Sequence, residues 1–143
     1  MKIEPYLFFD GRCEEALAFY KSAIGAETTM LMRYSQNPDV QPGMMPPGSE
    51  NKVMHASMKI GDATVMVSDG MCGGTPAFDG FSLTYNASSE AEADRVFAAL
   101  SQGGKVTMPL GKTFFAKSFG MLTDRFGVAW MVIVPAEMAS KAA

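Results

Sequence analysis

The sequence has few of the residues that bind metals or cross-link chains. It contains one histidine and two cysteines in 143 residues. Cys13 and Cys72 lie far apart and belong to no Cys-x-x-Cys or Cys/His cluster, which predicts two free thiols and no zinc motif. Long apolar runs are also missing. No stretch approaches the roughly 18 residues of a membrane-spanning helix, so no membrane contact is expected.

Positive charge is scarce as well. The 12 Lys and Arg residues against 15 Asp and Glu residues give a net charge of −3. This balance provides no basic field for a phosphate backbone and argues against nucleic acid as a partner. Residues 1–5 lack the apolar stretch and cleavage site of a signal peptide, so a cytoplasmic location is expected. With 48% apolar and 19% charged residues, the composition is that of one globular domain.

The segment from Val53 to Gly70 predicts two strands joined by a turn at residues 60–63. Residues of the first strand alternate with the period of two that a half-buried strand requires. The side expected to face a helix holds Met54, Ala56, Met58 and Ile60, and the other side holds Val53, His55, Ser57 and Lys59. The only histidine is therefore expected to face a cleft or a partner subunit.

The remaining pattern repeats one unit twice. Each half has a strand, a helix and three more strands. The apolar helical stripe of Cys13, Ala16, Leu17 and Tyr20 recurs at Ala93, Val96, Phe97 and Leu100. An internal duplication of this kind predicts an α+β fold of two βαβββ modules, residues 1–70 and 81–143, within a single domain of 143 residues. Residues 71–80 are the predicted connector.

Several details of this fold follow from the pattern. Asp10 is the predicted N-cap of the first helix, and Ser88 or Ser89 that of the second. Residues 35–51 contain four prolines and little periodicity, which predicts a long exposed loop. Tyr6 and Phe8 are expected to pack on the first helix, and Leu83 and Tyr85 on the second, leaving the opposite sheet faces to line a shared cleft. The other predicted strands are Pro5–Phe9, Glu27–Tyr34, Phe81–Ala87, Lys105–Met108, Thr113–Thr123 and Val128–Val134.

Five stretches of the chain match a known pattern. They are residues 5–11, residues 18–21 with 24–25, residues 53–57 with 67–70, residues 103–106 and residues 118–131. The last is the most specific, because Asp124-x-x-Gly127 precedes an apolar strand. Together these stretches resemble the PhnB-like branch of the vicinal oxygen chelate superfamily, which includes glyoxalase I, extradiol dioxygenases and the bleomycin and fosfomycin resistance proteins.

The resemblance implies paired modules and, commonly, a homodimer. Members whose chemistry is understood hold a divalent ion with His, Glu or Gln from the first and last strands of each module. The matching positions in this chain are Pro5, Met66, Ser82 (or Phe81) and Met131. None of these side chains is a usable ligand for a hard cation, so no metal and no other cofactor is expected at that site.

The candidate site residues come from both modules. His55 could act as a general base or anchor a ligand, and no other catalytic residue is assigned. Polar groups that end a strand gather at a cleft rim, and a cationic handle among aromatic and methionine side chains suits an adaptable pocket. The predicted ligand-binding residues are His55, Ser57, Met66, Ser68, Asp69, Phe115, Lys117 and Met131.

The leading hypothesis is a homodimer that binds a small organic molecule in an apolar cleft without a catalytic metal. Two alternatives stay open. One is a metal-dependent lyase, isomerase or dioxygenase whose ion is held by an unusual set, such as His55 with Asp69. The other is a structural dimerisation module. No Gly-x-Gly-x-x-Gly follows a strand, so the sequence gives no support for a methyltransferase.

Overall fold

The computed structural model describes residues 1–39, 41, 43–73 and 75–136. The chain divides between Pro76 and Ala77 into two compact units. Each unit contains one four-stranded mixed sheet and one α-helix in the order βαβββ. The α+β fold of two βαβββ modules is thus confirmed. Within the described part of the chain, no helix is long and apolar enough to cross a membrane.

The first unit has one parallel and two antiparallel strand pairs. Its strands lie in the order β1-β4-β3-β2, with β1 parallel to β4 and the other pairs antiparallel. Strand β2 is therefore at an edge of the sheet. The elements are β1 (Tyr6–Phe8), α1 (Cys13–Ile24), β2 (Glu27–Arg33), β3 (Val53–Ile60) and β4 (Ala63–Ser68).

The second unit repeats this topology. Its strands lie in the order β5-β8-β7-β6, and β6 is an edge strand that continues through Pro109, which an edge tolerates because proline cannot donate to the ladder. Ser89 caps its helix by accepting the N–H of Glu92 at 3.1 Å, as one of the two predicted caps. The elements are β5 (Leu83–Asn86), α2 (Glu90–Ser101), β6 (Lys105–Gly111), β7 (Ala116–Thr123) and β8 (Ala129–Pro135).

The first strand turns the opposite way from the prediction. Leu7 and Phe9 are buried, and the ring of Phe9 lies 6.1 Å from that of Tyr20 on α1. Tyr6 and Phe8 therefore lie on the face away from α1, and their predicted helix contact is wrong. The segment Tyr-Leu-Phe-Phe is apolar at every position, so alternation could not show which side is buried.

The second unit has the predicted orientation. Strand pairing makes Tyr85 level with Val132, and Val132 level with Gly120. A Cβ added to Gly120 would lie 2.7 Å from the ring of Phe97 on α2, so this layer faces the helix. Leu83 and Tyr85 share that face because they are two residues apart on one strand.

Helix α1 begins without the predicted cap. Arg12 occupies the N-cap position and its side chain makes no capping hydrogen bond. The N–H of Cys13 instead donates to Oδ1 of Asp69 at 2.7 Å. Asp10 has a left-handed φ of 57° and accepts the N–H of Gly73 at 2.7 Å. Local sequence could not reveal this arrangement, because the residue that accepts the helix N–H comes 56 positions later.

Candidate functional site

One face of the first sheet collects most of the candidate residues of that unit. Strand pairing places Tyr6 level with Met66, Met66 level with Ser57, and Ser57 level with Met30. Side chains two residues apart on a strand share a face, and this face is the one opposite α1. We call it the open face. It carries Tyr6, Phe8, Met30, Met32, His55, Ser57, Met66 and Ser68.

A polar pair stands in the open face. The hydroxyl oxygen of Tyr6 lies 2.8 Å from Nδ1 of His55. If Nδ1 accepts the tyrosine proton, Nε2–H is left as a donor, and if Nδ1–H donates, the tyrosine O–H is left as a donor. In either tautomer, neutral imidazole and phenol together keep one donor and one acceptor for a ligand.

Apolar side chains surround this pair. The ring of Tyr6 stacks on that of Phe8 with centroids 4.9 Å apart. Phe8, next to Tyr6 on β1, is 55% exposed, and Met30 and Met32 on β2, the strand beside that of His55, are 43% and 36% exposed. A group of large exposed apolar side chains on a soluble protein marks a surface for a ligand or a partner. Methionine suits such a surface because its flexible thioether adapts to different shapes.

Ser68 and Asp69 lie at the end of β4 but are buried. The hydroxyl of Ser68 accepts the N–H of Gly70 at 3.0 Å. Oδ1 of Asp69 accepts the N–H groups of Gly11 at 2.9 Å and Cys13 at 2.7 Å. Its Oδ2 accepts the N–H of Val53 at 2.7 Å. Asp69 thus faces inward and ties the start of α1 and the start of β3 to the end of β4.

The metal positions carried over from the resemblance can be compared with the strand register. The residue level with Met66 is Tyr6 and not Pro5. Pro5 precedes β1, and alternation puts it on the side that faces α1. In the second unit, Thr84 lies level with Met131. None of the four strand residues Tyr6, Met66, Thr84 and Met131 supplies imidazole, thiolate or carboxylate. Among the described residues, no three His, Cys, Asp or Glu side chains form a group that could hold a metal ion.

Two candidate residues of the second unit lie on or beside the sheet face away from α2. Met121 lies level with Met131, and alternation along β7 places Phe119 on the same side as Met121, whereas a register shift between Ala116 and Ser118 interrupts the alternation at Lys117. The ring of Phe115 contacts that of Phe119 edge to face at 5.1 Å. Met131 and Phe119 therefore lie on this face with Phe115 beside it, and a shared ligand pocket of Phe115, Lys117 and Met131 stays a prediction.

The structure also shows candidate residues that sequence reasoning missed. Tyr6 and Phe8 are two of them, because their segment is apolar at every position and its alternation does not show which side is buried. A cavity of about 310 Å³ lies within residues 34–50, which the sequence predicted only as an exposed loop. No periodic pattern in the sequence predicts such a cavity. Its lining includes Tyr34, Asn37, Gln41, Met45, Ser49 and Glu50.

The buried thiol of Cys13 predicts a loss of stability at alkaline pH. Burial, followed by the charges of Asp69 and Glu14, raises the pKa of Cys13 far above its ordinary value. In the unfolded chain the thiol ionises near its ordinary pKa of about 8.5, so above that pH the unfolded state binds fewer protons than the folded state. The contribution of Cys13 to stability is therefore full below the ordinary pKa and is lost as pH rises.

Urea unfolding at several pH values measures this effect. Above about pH 9, the free energy of unfolding of the natural chain should fall by about 1.4 kcal/mol per pH unit more steeply than that of Cys13→Ala. The comparison of slopes removes the contributions of the other titrating groups, which both proteins share. Equal slopes would show that Cys13 ionises in the folded protein.

Comparisons with known proteins agree with this architecture. A family model described as 3-demethylubiquinone-9 3-methyltransferase matches residues 1–133. The structure of protein PA1353 from Pseudomonas aeruginosa is 41% identical, with a TM-score of 0.82 over 94% of this chain and 98% of that one. The PhnB protein from Bacillus cereus is 34% identical, with a TM-score of 0.78 over 94% and 99% of the two chains. Protein YjdN of Escherichia coli K12 is 34% identical over 94% of this chain and 95% of its own.

The fold extends to more distant proteins. A glyoxylase/bleomycin resistance protein/dioxygenase domain from Frankia sp. EAN1pec is 15% identical, with a TM-score of 0.63 over 94% of both chains, and shares the fold alone. Two βαβββ modules with this sheet order form the glyoxalase/bleomycin-resistance fold. The chain belongs to the PhnB-like family, whose model is described as 3-demethylubiquinone-9 3-methyltransferase. The resemblance stated from the sequence is confirmed.

Proposed function

We propose that the chain binds a small organic molecule on the open face of its first sheet, without a metal ion. The observation that carries this proposal is the hydrogen-bonded pair of Tyr6 and His55, 2.8 Å apart, among exposed apolar side chains. Small-molecule sites commonly combine apolar area with a few polar groups that fix orientation. The open face offers both.

The side chains favour a particular class of ligand. The stacked rings of Tyr6 and Phe8 suit a flat aromatic body, which gains from offset stacking. The donor and the acceptor left on the polar pair suit a hydroxyl or carbonyl oxygen attached to that body. The proposed ligand is therefore an aromatic molecule with at least one such oxygen, and its affinity comes mainly from apolar burial.

Binding fits this site better than catalysis. The side chain that orients His55 is a neutral phenol, whereas catalytic imidazoles are typically oriented by a carboxylate. The description of the family names a methyl transfer. The two mixed sheets of this chain differ from the parallel, doubly wound sheet that accompanies a glycine-rich nucleotide loop. We therefore do not extend methyl transfer to this chain.

Calorimetric titration with 2-naphthol tests the proposal. We expect saturable binding to the natural chain and binding about tenfold weaker to Tyr6→Phe, which keeps the ring but loses the hydroxyl. Tyr85→Phe removes the hydroxyl of a tyrosine in the other unit and serves as the matched control, with unchanged affinity. For 2-methylnaphthalene, which lacks the oxygen, the natural chain and Tyr6→Phe should bind equally.

One further titration and one metal analysis separate the proposal from the alternatives. Tight binding of S-adenosylmethionine would favour a methyltransferase. A stoichiometric metal ion in the purified protein that is lost in His55→Ala would favour a metal-dependent enzyme. Either result, or equal binding of 2-naphthol to the Tyr6→Phe variant and the natural chain, would overturn the proposal.

A further inference from the structure

The cavity within residues 34–50 is a second candidate site, and its described lining shares no residue with the open face. Strand pairing holds the two ends of this loop together. The N–H of Ser35 donates to the carbonyl of Glu50 at 2.9 Å, which continues the pairing of β2 with β3 into the loop. Arg33 donates to both carboxylate oxygens of Glu14, at 3.0 and 2.9 Å, and to the carbonyl of Asn51 at 2.6 Å. These hydrogen bonds therefore hold the two ends of the loop in place.

Turns inside the loop shape the wall. The N–H of Met44 donates to the carbonyl of Gln41 at 3.1 Å, and the N–H of Ser49 donates to the carbonyl of Pro46 at 3.2 Å. The amide of Asn37 is engaged on both sides, since its Oδ1 accepts the N–H of Asp39 at 2.9 Å and its Nδ2 contacts a methionine sulfur. These contacts give the cavity a defined lining.

Three side chains of the lining can offer only hydrogen-bond acceptors to a ligand, while Ser35, Asn37 and Gln41 carry both donors and acceptors. The hydroxyl of Tyr34 donates its only hydrogen to the carbonyl of Gly70, and that of Ser49 donates to the carbonyl of Pro46. Each oxygen can therefore only accept from a further partner. The carboxylate of Glu50 also accepts only. None of the described lining residues is Lys, Arg or His, so Glu50 supplies the one formal charge in this lining.

Acceptor oxygens beside one negative charge favour the binding of a cation that carries N–H donors. The ring of Tyr34 can add a cation–π contact, and Met45 and Pro46 offer apolar surface to a short alkyl chain. A volume of about 310 Å³ lies at the lower end of the range for small-molecule sites and has room for a short alkyl chain. We propose that this loop cavity binds a small organic ammonium ion, with its nitrogen at Glu50.

Titration with butylammonium, followed by calorimetry and by amide NMR signals of the loop, tests this proposal. We expect saturable binding, with signals of Ser35 and Ser49 shifting. Glu50→Gln should weaken butylammonium binding about tenfold or more, because the charged hydrogen bond is lost. The backbone carbonyl of Glu50, which accepts the N–H of Ser35, remains. Glu27→Gln, at an exposed glutamate of β2 in the same unit, is the matched control and should leave the affinity unchanged.

Ligands of the same length with other charges sharpen the result. 1-Butanol should bind far more weakly than butylammonium, and butyrate should not bind. Absence of butylammonium binding, equal binding of the alcohol or the anion, or an unchanged affinity in Glu50→Gln would each overturn the proposal. Tyr6→Phe should leave butylammonium binding intact, so failure at the open face and failure at the loop cavity are distinguishable.

Discussion

Replacing Asp69 with alanine should destabilise the protein by about 4 kcal/mol, because two buried N–H groups and one partly buried N–H group would lose their acceptor and each unsatisfied buried group costs roughly 1–3 kcal/mol. The carboxylate is 1% exposed and accepts from Gly11, Cys13 and Val53. It joins three parts of the first unit that are distant in sequence. Few surface substitutions approach this cost.

Equilibrium unfolding in urea measures the effect of Asp69→Ala. Asp69→Asn keeps the shape and one acceptor oxygen, so it should cost about 2 kcal/mol. Asp79→Ala, at an exposed aspartate, is the control and should stay within about 0.5 kcal/mol of the natural chain. A loss below about 1 kcal/mol for Asp69→Ala would mean that water or a neighbouring group satisfies these N–H groups in its place.

The second unit contains a similar carboxylate. Asp124 is 3% exposed, and its Oδ1 accepts the N–H groups of Phe126 at 2.9 Å and Val128 at 3.1 Å. Its Oδ2 accepts the indole N–H of Trp130 at 2.9 Å. Both units thus use a buried aspartate next to a sheet strand to hold backbone N–H groups. Asp69 connects distant segments, whereas Asp124 holds a local turn, so we expect Asp69 to matter more for cooperative folding.

Gly104→Ala should cost about 3 kcal/mol, because the added methyl group meets backbone that cannot turn aside. A Cβ at this position would lie 2.2 Å from the carbonyl oxygen of Thr123 and 2.9 Å from the Cα of Asp124. Only a shift of the backbone at the start of β6 away from the end of β7 would relieve the overlap. The pattern predicted that Gly103 and Gly104 end the helix, and the structure adds that Gly104 permits this close approach.

Gly111→Ala is the matched control for Gly104→Ala. It changes a glycine at the other end of β6, where an added Cβ meets no atom within 4 Å and φ is not positive. Its free energy of unfolding should stay within about 0.5 kcal/mol of the natural value. If the two variants unfold at the same urea concentration, the approach of Thr123 to Gly104 is looser than the structure shows.

The sequence predicted those elements whose periodicity is clear. The alternation from Val53 to Ile60 gave the strand and placed His55 away from the helix, and the structure agrees. The repeated helical stripe gave α1 and α2 and the duplication. Each of these patterns is local, because a strand or helix of this length shows its buried side within a few residues.

The remaining features depend on tertiary contacts. Pairing with β4 sets the sheet face on which Tyr6 and Phe8 lie. Their own segment does not, since every residue in it is apolar. The sequence predicts Asp69 at a cleft rim because polar groups commonly end a strand there, whereas its hydrogen-bond partners lie up to 58 positions away. The cavity beside Glu50 forms in an aperiodic loop, so no pattern could predict it.

The ring of His55 offers the most direct test of binding at the open face. It is the only histidine in the chain, so its ring proton signals are unambiguous in an NMR spectrum. Titration with 2-naphthol should shift these signals saturably in the natural chain, with an affinity about tenfold lower in Tyr6→Phe. Ring signals that stay unmoved while 2-naphthol binds elsewhere, or that shift identically in both proteins, would contradict a ligand site at Tyr6 and His55.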